Sequence, residues 1–262
     1  MRIVTAAILA SCACLASAAM VADDELGRLL DCHDRAVGGA ALRASDAVAY
    51  TLRIEEPGFS VDGYYRATRA GAMRIDVYDS GRRVFSEGWD GELGWQRRAG
   101  DAEPVPISRS GAAALIHGIE SPGHLWTLAD MTRNGHRLEL DPPEILDGRA
   151  MAVVRLTLDD GFETVYLLDP DSCLIRQSRN LRAFHPDNDP RPQRIATFYA
   201  DYRRVDGISR AFLTRNVDID SGETLATTRV ILFTAAPKLH ADEMQGTADM
   251  QWSGVPVSAE AD

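Results

Sequence analysis

Residues 48–96 read VAYTLRIEEPGFSVDGYYRATRAGAMRIDVYDSGRRVFSEGWDGELGWQ. In VAYTLRIEE, Val48, Tyr50, Leu52 and Ile54 fall on one face, and Ala49, Thr51, Arg53 and Glu55 on the other. Strict alternation of this kind marks a half-buried antiparallel strand. Pro57-Gly58 interrupts it, and a second strand follows through Gly63, Tyr64, Tyr65 and Arg66. RIDVYD (74–79) sets Ile75 and Val77 against Arg74 and Asp76. Ser80-Gly81 and Asp90-Gly91 supply the positive φ that tight hairpins need, and lead into RVFSEGW and LGWQ. The stretch is a meander of five short strands on which the rest of the chain should pack.

Working outward, the same pattern returns at Arg137 and runs on. Asp147-Gly148, Asp160-Gly161, Asp169-Pro170, Asp206-Gly207 and Ser221-Gly222 punctuate alternating segments such as AMAVVRLTL (150–158) and ETLATTRVILF (223–233). Turns this short join antiparallel neighbours, because parallel ones need long crossovers. Helical spacing appears in DDELGRLLDCHDRAV (23–37), closed by Gly38-Gly39, in AAALIHGIE (112–120) and in HLWTLADM (124–131). The reading is an α+β fold: one strongly curved antiparallel sheet of about ten or eleven strands, with two or three short helices over its concave face. A sheet that large must curl, and a curled, roofed sheet encloses a cavity of the kind that takes apolar ligands.

The chain has 262 residues, 45% hydrophobic, and a formal net charge of −11. One domain suffices, and nucleic-acid binding would need a basic patch that is absent from the sequence. Lys238 is the single lysine and follows Pro237, which fits neither a phosphate loop nor a Schiff base.

Met1-Arg2 precedes an uncharged run from Ile3 to Ala22 with a small-residue site at Ala16-Ser17-Ala18. This is the pattern of a secretory signal peptide, 1–22, cleaved near 18–22. Leu9-Ala10-Ser11-Cys12 has the look of a lipobox, so a lipid anchor at Cys12 is the alternative. Residues 23–245 would form the domain and 246–262, which lack periodicity, a loose tail. An exported chain meets an oxidising compartment, which allows a disulfide between Cys32 and Cys173; a buried free cysteine is the other reading.

A helix ending in Gly-Gly, then GYYRATRAGAMRIDVYDSGRRVFSEGWDGELGW, resembles the opening of the LolA-like periplasmic lipoprotein carriers. ILDGRAMAVVRLTL, VYLLDPDSCLIRQS and ADYRRVDGISRAF resemble later parts of the broader group of outer-membrane lipoprotein-sorting proteins. The resemblance spans about residues 25–245. It implies a half-open β-barrel with a helical lid that binds acyl chains, located in the periplasm. It also implies donor and acceptor proteins of the inner and outer membranes as partners, and a monomer. Tyr50, Leu52, Ile54, Tyr65, Ile75, Val77 and Trp126 are the candidate lining. Arg69 occupies the position of an arginine that fastens the lid in the carriers, though Ala70 stands where they have proline; an exposed strand-end arginine is the plain alternative.

Catalytic and metal motifs are scarce. His117, Glu120 and His124 lie in HGIESPGH, but Pro122-Gly123 breaks the helix that metalloprotease spacing requires. His185, Asp187 and Asp189 lack the glycine and terminal glutamate of a calcium loop and read as a solvated turn. There is no Gly-x-Ser-x-Gly elbow. No metal or cofactor is expected. The leading function is a non-enzymatic carrier or binder of lipid or lipoprotein acyl chains. The alternative is an envelope sensor or assembly partner that binds a protein, and an exported hydrolase comes third.

Overall fold

The structure, a computed structural model, describes residues 24–246. The expected signal peptide (1–22) with Cys12, and residues 247–262 of the expected tail, lie outside the described residues.

Among the described residues thirteen strands join one sheet. They are β1 (Ala47–Glu56), β2 (Phe59–Thr68), β3 (Met73–Asp79), β4 (Arg82–Trp89), β5 (Gly94–Arg98), β6 (Val105–Pro106), β7 (Arg137–Leu146), β8 (Arg149–Thr157), β9 (Glu163–Leu168), β10 (Ile175–Arg182), β11 (Gln193–Val205), β12 (Ile208–Asp218) and β13 (Thr224–Ala235). Their order is β6-β5-β4-β3-β2-β1-β13-β12-β11-β10-β9-β8-β7, with every paired neighbour antiparallel. The count exceeds the expected ten or eleven. One addition is β6, two residues within a proline-rich loop whose alternation is too short to read. β7 tolerates Pro142-Pro143 because it is the sheet's edge, and its register shifts between Asp141 and Glu144.

The sheet begins and ends at different edges, and that places the helices. β6 and β7 are opposite edges, so residues 107–136 must cross the open face. They do so as α3 (Arg109–Glu120) and α4 (Leu128–Arg133). The N-terminal α1 (residues 24–37) and α2 (Gly39–Arg43) join them. Leu26, Leu29 and Leu30 of α1 pack with Leu128 and Met131 of α4 on Val154, Leu156 and Tyr166. A second cluster joins Leu42, Leu125 and Ile119 to Val48, Tyr50, Tyr65, Phe212 and Phe233. Trp126 packs against both clusters. Gly38, at φ 76°, lets the α1–α2 corner sit on the β11–β12 turn; a Cβ there would meet the Gly207 carbonyl oxygen at 2.0 Å.

The convex face of β2–β4 is not a solvent face. Arg66, Arg74, Asp76 and Ser86 are all fully buried. Asp76 accepts from Arg66 Nη2, from Arg74 Nη2 at 2.7 Å and from Ser86 Oγ at 2.6 Å. Arg74 Nη1 donates to the carbonyls of Glu243 (3.2 Å) and Gln245 (2.9 Å), so the end of the described chain covers this polar network. Gly246 lies against Trp95 and Pro104.

Candidate functional site

Between the concave face and the helices lies a cavity of about 780 Å³. Six of the expected lining residues, Tyr50, Leu52, Ile54, Tyr65, Ile75 and Trp126, line it. Val77, half-buried on β3, does not. Gly63 keeps the floor open, since a Cβ there would press on Ile54 Cδ1 at 3.1 Å and approach Leu52 and Ile75.

The roof over the cavity's inner end is stitched by charge. Arg43 of α2 makes a forked pair with Asp34 of α1 at 2.6 and 2.8 Å and reaches Asp130 of α4 at 3.3 Å. Thr127 Oγ1 also donates to Asp34, at 3.0 Å. The Arg43 bond is the main cause holding the Asp34 carboxyl below the usual carboxylate range. The Cys32–Cys173 disulfide fastens α1 to the β9–β10 turn, with Cα atoms 5.8 Å apart. The neighbouring His33 Nδ1 lies 2.9 Å from the Cys173 carbonyl oxygen.

Arg69 is not a free strand-end arginine. Its Nη2 donates to the carbonyls of Leu42 (2.8 Å) and Leu125 (3.1 Å), and Nε to Ser45 at 3.3 Å. The guanidinium lies 4.5 Å from the Trp126 ring centroid. One side chain on the β2–β3 turn thus adds a donor to a carbonyl in the last turn of α2 and stacks on Trp126 over the cavity.

Across from it, His124 stacks on Tyr65 at 4.5 Å and meets Tyr50 edge-on at 5.4 Å. Burial, with the Arg210 charge second, pushes its pKa down to about 4. Burial also raises the hydroxyls of Tyr50, Tyr65, Tyr166, Tyr199 and Tyr202. The cavity wall is therefore neutral over most of its area.

His124 also makes stability depend on pH. Its folded pKa is below the unfolded value near 6.5, so the unfolded chain binds the proton first as pH falls. Stability contributed by neutral His124 is complete above about 6.5 and is lost as pH drops toward 4. Linkage puts the loss at roughly 2 kcal/mol by pH 5. Urea midpoints should fall between pH 7 and 5, and His124→Gln should flatten that fall; an unchanged slope would remove His124 as its source.

The other polar candidates part company. His117 Nε2 lies 2.6 Å from Asp160 Oδ2 and its ring stacks on Phe162 at 4.0 Å. The half-buried His124 instead packs on Tyr65 and Tyr50, and Glu120 is exposed. Asp187, expected in a solvated turn, accepts from Ser108 N at 2.7 Å and so caps α3 from the β10–β11 loop. His185 lies 3.0 Å from Glu56, and Asp189 pairs with Arg191 at 2.6 Å. Among the described residues no group of three His, Cys, Asp or Glu is placed to hold a metal. No helix among them is long and apolar enough to cross a membrane.

The sequence reading did not reach the wall formed by β10–β13, which lines the cavity with Ser178, Asn180, Arg182, Thr197, Tyr199 and Thr214. Polar residues at alternate positions read as a solvent face, and only closure of the sheet turns that face inward.

An open antiparallel half-barrel with helices across its mouth and a cavity beneath them is the LolA-like fold, and this chain has it. No family model and no curated protein matches the chain. Solved structures do. It is similar to a DUF1329 family protein from Desulfovibrio piger, with TM-score 0.54, 14% identity, and coverage of 82% of this chain and 96% of that one. A LolA superfamily protein from Nitrosomonas europaea aligns with TM-score 0.52 and 12% identity over 80% of this chain and 97% of the other. A putative outer membrane lipoprotein-sorting protein domain from Vibrio parahaemolyticus gives TM-score 0.52 and 10% identity over 76% and 88%.

Proposed function

We propose that this chain is a non-enzymatic periplasmic binder or carrier of lipid or lipoprotein acyl chains, with residues 1–22 as its export signal and 23–245 as the binding domain. The observation that carries the reading is the cavity of about 780 Å³ walled by Tyr50, Leu52, Ile54, Tyr65 and Ile75 under a roof of helices. A volume of that size suits a small-molecule ligand, and its aromatic and aliphatic wall favours hydrocarbon. The fold shared with lipoprotein-sorting domains is consistent with it. Tyr50, Leu52, Ile54, Tyr65, Ile75 and Trp126 would contact the chain, and Arg69 would set how readily the roof lifts.

Protein purified from the periplasm should yield a co-purifying lipid on denaturing mass spectrometry, and stripped protein should bind long-chain acyl probes. Leu52→Glu puts a carboxylate on the apolar wall at a half-buried position. It should weaken probe binding at least tenfold, while Val77→Glu on the neighbouring strands should leave it within twofold. Absence of lipid together with no probe affinity would sink the reading, and a crosslinked polypeptide recovered in its place would favour a sensor or assembly role.

A further inference from the structure

The cavity has two unlike walls. β1–β3 are apolar, but β10–β12 present Ser178, Asn180, Arg182, Thr197, Tyr199 and Thr214. A bare hydrocarbon chain has no use for such a wall.

Arg182, the last residue of β10, and Arg210 of β12 are its charged members; Arg210 Nη2 is already engaged, donating to the His124 carbonyl at 2.8 Å. Among the described residues Arg182 makes no ion pair; its guanidinium lies 5.6 Å from the Phe184 ring centroid. The contrast within the same strand is direct. Arg179, on the opposite face, bonds Glu144 at 2.6 Å. Elsewhere on the surface Arg155, Arg191 and Arg203 each hold an aspartate within 2.7 Å. In a chain with 39 acidic and 28 basic residues, carboxylates are not scarce. Of those around this end of the cavity, Glu56 pairs with His185, Asp187 binds the start of α3 and Asp189 pairs with Arg191, while burial raises the Glu87 carboxyl toward its neutral form. Burial lowers the Arg182 pKa, with Tyr199 opposing, so the guanidinium is partly stripped of water. One alternate position along the strand, Asn180 Oδ1 is buried with no hydrogen-bond partner.

A desolvated cation without a counter-ion is unfavourable, and an anion brought by a ligand removes that cost. The guanidinium fork matches carboxylate and phosphate oxygens alike. We propose that the cavity's ligand is an amphiphile with one anionic head, carboxylate or phosphate, seated on Arg182, its acyl chain lying along the β1–β3 wall. This rests on the acyl-binding reading above and adds the class of head group.

Three probes of equal chain length test it: dodecanoate, dodecyl phosphate and dodecanol, measured by displacement of Nile red, an uncharged dye. At least one anionic probe should bind wild type tenfold or more tightly than dodecanol. Arg182→Gln should erase that advantage while leaving dodecanol affinity within twofold. Arg179→Gln should leave the advantage intact, and Arg182→Lys should keep a large part of it. The anion with the larger advantage identifies the head. Equal binding of all three by wild type, or an anionic advantage that survives Arg182→Gln, would overturn the assignment while acyl binding stands. No binding of any probe would instead remove the acyl-binding reading itself.

Discussion

Asp76→Ala should cost this protein about 3–5 kcal/mol, the range for removing one partner of a buried ion pair. For a chain of this size that is a drop in melting temperature on the order of 10 °C. Arg66, Arg74, Asp76 and Ser86 are all at 0% exposure, so no water replaces the lost carboxylate. Burial already lowers the Arg66 pKa, with Asp76 the strongest opposing influence, and its Nε and Nη1 lack a hydrogen-bond partner. Removing Asp76 therefore leaves two guanidinium groups facing one another beneath the 3-10 turn Ala241–Met244. Because Arg74 also donates to the Glu243 and Gln245 carbonyls, the C-terminal cover should loosen with it. Limited proteolysis should then cut near residue 240 before the sheet unfolds. Asp62→Ala, which breaks the more exposed pair with Arg53, should cost about 1 kcal/mol or less. Replacing Arg66 and Asp76 together by apolar residues should recover part of the loss, since the charges are coupled. A thermal shift below about 2 °C for Asp76→Ala would show that the network is not worth its burial.

That network marks where reading from sequence stops. Alternation in residues 48–96 assigned faces correctly: Tyr50, Leu52, Ile54 and Ile75 turn to the cavity, and Arg74 and Asp76 turn away from it. The Asp-Gly and Ser-Gly pairs likewise located the hairpins, because positive φ is a local demand that few residues meet. Alternation does not say what covers a face, however. The cover over Arg74 comes from residues 243–246, some 170 positions away, and has no period of its own. The same limit hid Arg182 and its polar neighbours, which become cavity wall only through sheet closure. It also left the roles of Arg69 and Asp187 open, since each acts on carbonyl or amide groups of segments distant in sequence.

Breaking the Cys32–Cys173 bond should destabilise the chain by about 2–5 kcal/mol, with the chain-entropy account near the top of that range because the closed loop is long. The two cysteines are 141 positions apart in sequence. The bond also holds a part with few other ties to the sheet beyond apolar packing: Leu26, Leu29 and Leu30 of α1 on the β8–β9 cluster, helped by the His33–Cys173 contact. His33 and Val37 line the cavity, so freeing α1 opens one side of the roof. Reduced protein, or Cys173→Ala, should show a lower guanidinium midpoint with nearly unchanged slope, as expected when stability changes but folded surface does not. Hydrogen exchange should quicken in residues 24–37 more than in β1 or β12, because local opening of the roof now costs less than global unfolding. A bound acyl probe should also leave faster, since release passes through that opening. If the midpoint falls while exchange in α1 and probe release stay unchanged, the disulfide acts on the unfolded chain alone and the roof is held by Arg43, Asp34 and Arg69.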